Sequence, residues 1–183
     1  MNDESWVIID TETSGLMQPI FAVEIAGQRM KGWEPEGKPF RVLLNHDVAI
    51  DPMAQSVHGY SREFLRRNGQ DPKKAHKAFH EYAADLPIVA YNISFDWNRV
   101  LEPEYKRLDV PQTGKRGFCA LTLARRVINE TDNHRLETLN LVADVPLVRK
   151  TGSSQGKSFR LKLTVNLVSL QIAVSGPEAP RFP

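Results

Sequence analysis

Short apolar runs that stop abruptly in polar or turn-forming residues set the pattern of this chain. Trp6–Asp10, Phe21–Arg29 and Phe40–Leu44 read as three early strands. The first two are joined through Ser14-Gly15 and the last two through the turn-rich Gly32-Trp33-Glu34-Pro35-Glu36-Gly37. Helical signals follow. Ser61 caps a predicted helix over Ser61–Asn68 that Gly69 stops, and Ala75, Ala78, Phe79 and Tyr82 give Pro72–Ala84 an apolar stripe. Ile88–Tyr91 is the next strand. Asp96–Leu108 reads as helix, broken or restarted at Pro103. Gly117–Cys119 predicts a short strand, and Leu121–Val127 and Leu136–Ala143 two further helices. Three strands followed by alternating helices and strands predict an α/β fold, a mixed sheet with helices on its faces.

The ends of two of these strands carry acids. Val7-Ile8-Ile9 runs into Asp10-Thr11-Glu12-Thr13-Ser14-Gly15-Leu16. Residues two apart on a strand point to one face, so Asp10 and Glu12 would stand side by side. Two such anions are costly together unless a cation sits between them, and hard oxygen ligands suit Mg²⁺ or Mn²⁺. A strand running into an acidic turn fits the same residues. Pro87-Ile88-Val89-Ala90-Tyr91-Asn92 is a second apolar strand, followed by Ile93-Ser94-Phe95-Asp96. Ser94 is placed to cap a helix, and Asp96 would lie in its first turn, where the helix dipole favours an anion. Asp96 would either bring a third carboxylate to the same sheet edge or simply help cap its helix.

Taken together, the two segments resemble the first two motifs of the DEDD superfamily of 3′–5′ exonucleases, which includes proofreading subunits and stand-alone DNA and RNA trimming enzymes. The first motif is an apolar strand followed by Asp-x-Glu-Thr-x-Gly-Leu, matched by Asp10 to Leu16. The second is Asn-x-x-Phe-Asp after a strand, matched by Asn92 to Asp96. Val23-Glu24-Ile25-Ala26, Val57-His58-Gly59-Tyr60 and Cys119 to Arg125 fall in the family's order, and the resemblance runs from about Trp6 to about Val148. It implies a ribonuclease H-like fold with a mixed five-stranded sheet flanked by helices. It also implies a metal-dependent exonuclease that releases nucleoside 5′-monophosphates from DNA or RNA 3′ ends. Asp10, Glu12 and Asp96 would be catalytic and would hold two Mg²⁺ or Mn²⁺ ions. Thr13, Leu16, Asn92 and Phe95 would bind the substrate, a single-stranded DNA or RNA 3′ end.

The third motif of the usual subclass, His-x-x-x-x-Asp, is missing. No Asp or His follows Asp144, and the only acid there is Glu178. His134 is the last histidine, with Leu139 five residues on. The tyrosine variant is absent too, since the last tyrosine is Tyr105. A rival expectation follows: a catalytically impaired pseudo-nuclease that still binds nucleic acid. Gly152-Ser153-Ser154-Gln155-Gly156-Lys157-Ser158 is one residue short of a phosphate-binding P-loop and reads better as a flexible Gly/Ser loop. Residues 159–167 alternate like a strand, whereas Leu163, Leu167, Leu170 and Val174 share a helix face. The family implies a helix, expected from about Lys162 to Ala173. The expected organisation is an exonuclease-like domain over 1–150, a divergent segment of the same domain over 151–174, and a proline-containing tail over 175–183.

Composition adds boundaries. The 183 residues, 41% hydrophobic and 25% charged, suit one globular domain with a substantial core. No apolar run reaches the length of a membrane span, and the acidic start Met1-Asn2-Asp3-Glu4 lacks the order of a signal peptide. A single cysteine, Cys119, excludes an intrachain disulfide framework and a cysteine-rich zinc site. A cytoplasmic setting without a membrane partner is the resulting expectation. The net charge of +2 does not argue for nucleic acid, but its clustering suits phosphate contacts or solvated helix faces. The clusters are Arg62, Arg66 and Arg67; Lys73, Lys74 and Lys77; Lys115, Arg116, Arg125 and Arg126; and Arg149 to Lys162.

Overall fold

A computed structural model describes residues 4–32, 34–112, 117–128, 131–136 and 138–139. Its strands are β1 (Ser5–Thr13), β2 (Ala22–Lys31), β3 (Glu34–Leu43), β4 (Ile88–Ala90) and β5 (Gly117–Cys119). They form the expected five-stranded mixed sheet, in the order β3-β2-β1-β4-β5. β1, β2 and β3 pair antiparallel, and β4 and β5 join β1 in parallel. The helices are α1 (Pro52–His58), α2 (Arg62–Asn68), α3 (Pro72–Ala83), a π-helix (Ser94–Leu101), α4 (Glu102–Leu108) and α5 (Ala120–Val127). Among the described residues, no helix is long and apolar enough to cross a membrane.

Strand alternation divides the sheet into two faces. Val7, Ile9, Ile25, Ile88 and Ala90 pack with Phe79, Trp97, Val100, Leu101 and Tyr105 in the main core, under α3, the π-helix and α4. On the other face, Ile8 packs with Ala26 and Met30, and Val89 packs with Ala120 and Leu123 of α5. Phe79 is fully buried beside Phe40, with ring centroids 5.5 Å apart, and burial of this kind is worth about 1.5–3 kcal/mol per side chain.

Several elements differ from the sequence expectation. β1 continues to Thr13 instead of stopping at Asp10, because its outer residues keep pairing with β2 as far as Thr13↔Ala22. β3 begins at Glu34, so the stretch read as a long turn is a tight turn at Gly32 (φ 56°) followed by an exposed edge strand. An edge strand tolerates Pro35 because a missing N–H there can face water. Helix α1 was not expected. Asp51 caps it by accepting from Met53 N, Pro52 opens it, and Gly59 ends it with φ 83°. Ser94 is not a cap but the first residue of the π-helix, whose N-cap is Ile93 without a side-chain hydrogen bond. Pro103 falls where the π-helix passes into α4: Leu101 and Glu102 are both helical, and Glu102 N–H still donates to Trp97 O, so the chain continues helical through the proline. Most of Leu136–Ala143, the cluster at Lys115 and Arg116, and everything read from 140 onward, including the segment 151–174, its helix and the tail, lie outside the described residues.

Candidate functional site

The amide of Val7 donates to Pro87 O at 2.9 Å, so the odd-numbered amides of β1 point toward β4. That ladder ends at Ile9↔Ala90. The next odd amide, Thr11 N, lies beyond β4, and Asp96 takes the place of the missing strand. Asp96 Oδ1 accepts from Thr11 N at 3.0 Å and from Thr11 Oγ1 at 2.7 Å. The π-helix delivers this acid. Asn92 O accepts from Phe95 N at 2.8 Å and from Asp96 N at 3.2 Å, turning the chain just after β4. Asp96 and Thr11 are both buried at 7% exposure, so the charge-assisted pair is shielded from water. The acid of the second motif is thereby fixed to the strand of the first.

Asp10 and Glu12 project from the opposite face to Thr11 and are half-buried. Glu12 pairs with Glu24 across the β1–β2 ladder. Glu24 is 4% exposed and is held by two partners: its Oε2 accepts from Arg41 Nη2 at 2.9 Å and from the Tyr60 hydroxyl. Burial, then the hydrogen bond to Glu24, pushes the Tyr60 phenol well above its usual range. The hydrogen bond to Glu24 likewise raises Arg41. A third carboxylate therefore lies next to the Asp10–Glu12 pair, but its charge is met by an arginine.

The third side of the site is α1. His58 Nδ1 accepts from Tyr60 N at 2.9 Å, so its proton sits on Nε2, which donates to Thr13 O at 3.2 Å. The imidazole stacks on Tyr60 with centroids 4.9 Å apart. At the other end of the helix, Asp51 N donates to Ser14 O at 2.8 Å. α1 is thus tied at both ends to the turn after β1. Thr13 Oγ1 donates to Gly15 O at 3.0 Å, and Leu16 beyond it is 66% exposed. Arg99 Nη2 donates to Leu16 O at 3.3 Å, with its guanidinium 5.6 Å from the centre of the Phe95 ring.

The structure therefore gathers Thr13, Leu16 and Phe95 on one rim and ties Asp96 to the strand of Asp10 and Glu12. Asn92 contributes its carbonyl to the turn and is itself exposed. Among the described residues, no three His, Cys, Asp or Glu side chains form a group that could hold a metal ion. His134 is engaged elsewhere: its Nε2 donates to Ile128 O at 2.8 Å, and its carbonyl accepts from Tyr91. Sequence reasoning missed the anchoring role of Thr11, the Glu24–Arg41–Tyr60 cluster, and Arg99. The His58 contact had a signal in the Asp51-Pro52 opening and Gly59 stop around a short helix.

The chain resembles known proteins in sequence and in fold. The epsilon subunit of DNA polymerase III from Escherichia coli K12 is 31% identical over 129 residues, covering 63% of this chain and 49% of that protein. DNA polymerase III of the PolC type from Bacillus cereus is 28% identical over 148 residues, 80% of this chain but 10% of that protein. The chain thus spans about half the length of the first relative and a tenth of the second. Exonuclease I from E. coli in complex with a dT13 oligonucleotide superposes with a TM-score of 0.71 at 16% identity, over 92% of this chain and 41% of the other. Exonuclease X in complex with 5′-overhanging duplex DNA gives 0.63 at 19% identity, over 93% of both chains. These superpositions establish the ribonuclease H-like exonuclease fold. The exonuclease family RNase_T matches residues 7–149, and the chain belongs to that family.

Proposed function

We propose that this chain acts on nucleic-acid 3′ ends as a divalent-metal-dependent 3′–5′ exonuclease that releases nucleoside 5′-monophosphates. The observation that carries the reading is the double hydrogen bond from Thr11 to Asp96, which fixes the acid of the second motif to the strand that carries Asp10 and Glu12. The carboxylates of Asp10, Glu12 and Asp96 are hard oxygen donors that fit Mg²⁺ or Mn²⁺ in chemistry, and they are the residues that would hold it. In a two-metal site such ions stabilise the attacking and leaving oxygens of phosphodiester hydrolysis. The described residues do not gather three of these ligands around one point. Thr13 and Leu16 would seat the terminal nucleotide, and Asn92 and Phe95 would shape its pocket, Phe95 offering a ring face.

A second reading is favoured by one observation of its own. No His or Asp follows Asp144, so the general base and fourth carboxylate of active relatives have no counterpart in this sequence. A lost general base costs about 10²–10⁴ in rate. On this reading the chain binds 3′ ends and cuts them slowly or not at all.

A 3′-labelled single strand incubated with Mg²⁺ or Mn²⁺ separates the two. Cutting by the wild type and its loss in a folded Asp10→Ala variant supports the exonuclease. Binding without cutting supports the second reading. Neither binding nor cutting removes both, and equal cutting by wild type and Asp10→Ala points to a different site.

A further inference from the structure

Glu104 is fully buried on α4 and cannot touch substrate, yet its carboxylate gathers donors from β2, α3, α4 and the segment after β3. Its Oε1 accepts from Ala22 N at 2.9 Å and faces His46 Nε2 and Arg107 Nη2, each at 3.2 Å. Its Oε2 faces His76 Nε2 at 3.0 Å. A buried carboxylate is costly unless its charge is met in this way. His46 and Arg107 reach further. The His46 ring lies 5.0 Å from the Phe21 ring, centre to centre, and the Arg107 guanidinium lies 4.5 Å from the centre of the same ring. One carboxylate therefore fixes two consecutive residues, Ala22 through its amide and Phe21 through its side chain.

Those two residues close the turn that follows β1. Glu12 pairs with Glu24 but Thr13 pairs with Ala22, so Val23 is an extra residue and the β1–β2 ladder is irregular there. Ala22 N takes its acceptor from α4 instead. Beyond the irregularity, Phe21 O accepts from Ser14 N at 2.8 Å and Phe21 N donates to Ser14 Oγ at 3.2 Å. The apex of the turn, Leu16 to Pro19, is exposed, so its position depends on that neck, on buried Ile20 and on the Arg99 bond to Leu16 O. We infer that Glu104 is a positioning residue for the terminal-nucleotide seat: with His46 and Arg107 it clamps Phe21 and Ala22, and through Ser14 it sets where Thr13 and Leu16 meet the nucleotide. This rests on the nuclease reading above. A displaced seat weakens the hold on the nucleotide while the carboxylates of Asp10, Glu12 and Asp96 keep their charge. Loss of the clamp therefore shows in binding and not in the chemical step.

The test uses the full chain with Glu104→Gln and, as a milder variant, Arg107→Met, whose side chain is 37% exposed. Met30→Ala is the control: near the far end of β2, Met30 packs with Ile8, Ala26 and Trp6, so its loss lowers stability away from the turn. The probes are thymidine 5′-monophosphate and a fluorescein-labelled decathymidylate with cleavage-resistant phosphorothioate linkages, each with Mn²⁺. Both clamp variants should bind the monophosphate about five- to tenfold more weakly than wild type, and Met30→Ala within about twofold of it. On a cleavable strand KM should rise by the same factor, with kcat within about twofold. Well below the melting temperature, hydrogen exchange should quicken at the amides of residues 15–22 in the clamp variants and not in the control. Wild-type affinity in both clamp variants overturns the clamp and leaves the nuclease reading standing. An equal loss in Met30→Ala also overturns it, because stability alone would then weaken binding. So does a fall in kcat with KM unchanged. If Glu104→Gln does not fold, Arg107→Met decides by the same readouts. A wild type that binds neither probe removes the nuclease reading and the clamp's role together.

Discussion

Glu24 stands directly across the β1–β2 ladder from Glu12, and its carboxylate is pinned by Arg41 and Tyr60. Two acids at that register would repel each other, so the arginine matters to both. Removing it leaves Glu24 buried with only the phenol to meet its charge. Arg41→Met is expected to cost about 1–3 kcal/mol, kept toward the lower part of the range for buried ion pairs because the arginine side chain is 29% exposed. Adding Glu24→Gln to Arg41→Met removes the stranded charge and should return part of the loss. Urea denaturation of the four proteins in this cycle measures it, and strictly additive effects would show that the pair is not coupled.

Asp96 anchors Thr11 and, on the proposed reading, would also hold a metal ion, and substitution can separate the two. Asp96→Asn keeps an oxygen for Thr11 N and Oγ1 but removes the charge that would hold a metal. Stability should stay within about 1 kcal/mol of wild type while cutting is lost. Thr11→Val keeps the amide bond and deletes the hydroxyl donor, at a cost of about 1 kcal/mol and with Asp96 less firmly placed. Thermal unfolding and single-turnover cleavage on both variants are the measurements. An Asp96→Asn protein that cuts at the wild-type rate would take Asp96 out of the metal site.

Much of this site was legible in the sequence because strands announce themselves by period and by where they stop. Val7 to Ile9 and Ile88 to Ala90 are short apolar runs followed by acids and turn residues, and both became adjacent parallel strands. Helix α1 was hidden for a physical reason: it buries no residue, so it has no apolar stripe, and its caps at Asp51 and Gly59 were its only marks. The outer half of β3 was hidden because its residues are exposed and include proline and glycine, which read as turn. The role of Thr11 could not be read from alternation, which turns it away from Asp10 and Glu12. It follows from β4 ending two residues early, a tertiary fact. Ser94 misled because a serine before an acid resembles a cap, while the chain had already entered helical geometry at Ile93.

Gly15 tests whether the position of α1 matters to substrate. Gly15→Ala places a methyl 3.0 Å from Asp51 Cβ at a φ of 156° that alanine rarely adopts, so the turn after β1 is strained and its contact with the start of α1 must give by a few tenths of an ångström. A stability loss of about 1–3 kcal/mol is expected, with a several-fold rise in KM and little change in kcat. Gly37→Ala is the control. At φ 70° it strains the β3 edge, where an added Cβ meets nothing within 4 Å, so it should cost comparable stability and leave KM alone. A KM rise in both variants would mean that loss of stability, not displacement of α1, weakens binding.

The last prediction concerns acid sensitivity and lies away from the site. Glu104 is fully buried and faces His46 Nε2 at 3.2 Å, His76 Nε2 at 3.0 Å, Arg107 Nη2 at 3.2 Å and the Ala22 amide at 2.9 Å. Burial alone would raise its pKa, but the two histidines outweigh burial and hold it at about 2, below the ordinary 4.5. A folded-state pKa below the unfolded one gives stability that is fully present above about pH 4.5 and is lost as pH falls toward 2. The gap corresponds to about 3 kcal/mol. His76 Nδ1 donates to Pro72 O at 2.9 Å, which turns Nε2 toward Glu104, so the ion pair forms when the imidazole carries both protons. Glu104→Gln should therefore be less stable than wild type at pH 5, with the difference shrinking as pH falls from 4.5 toward 2.5. Chemical denaturation across that range measures the difference. A gap that stays constant down to pH 2.5 would mean that the carboxylate charge does not hold α3, α4 and the segment after β3 together.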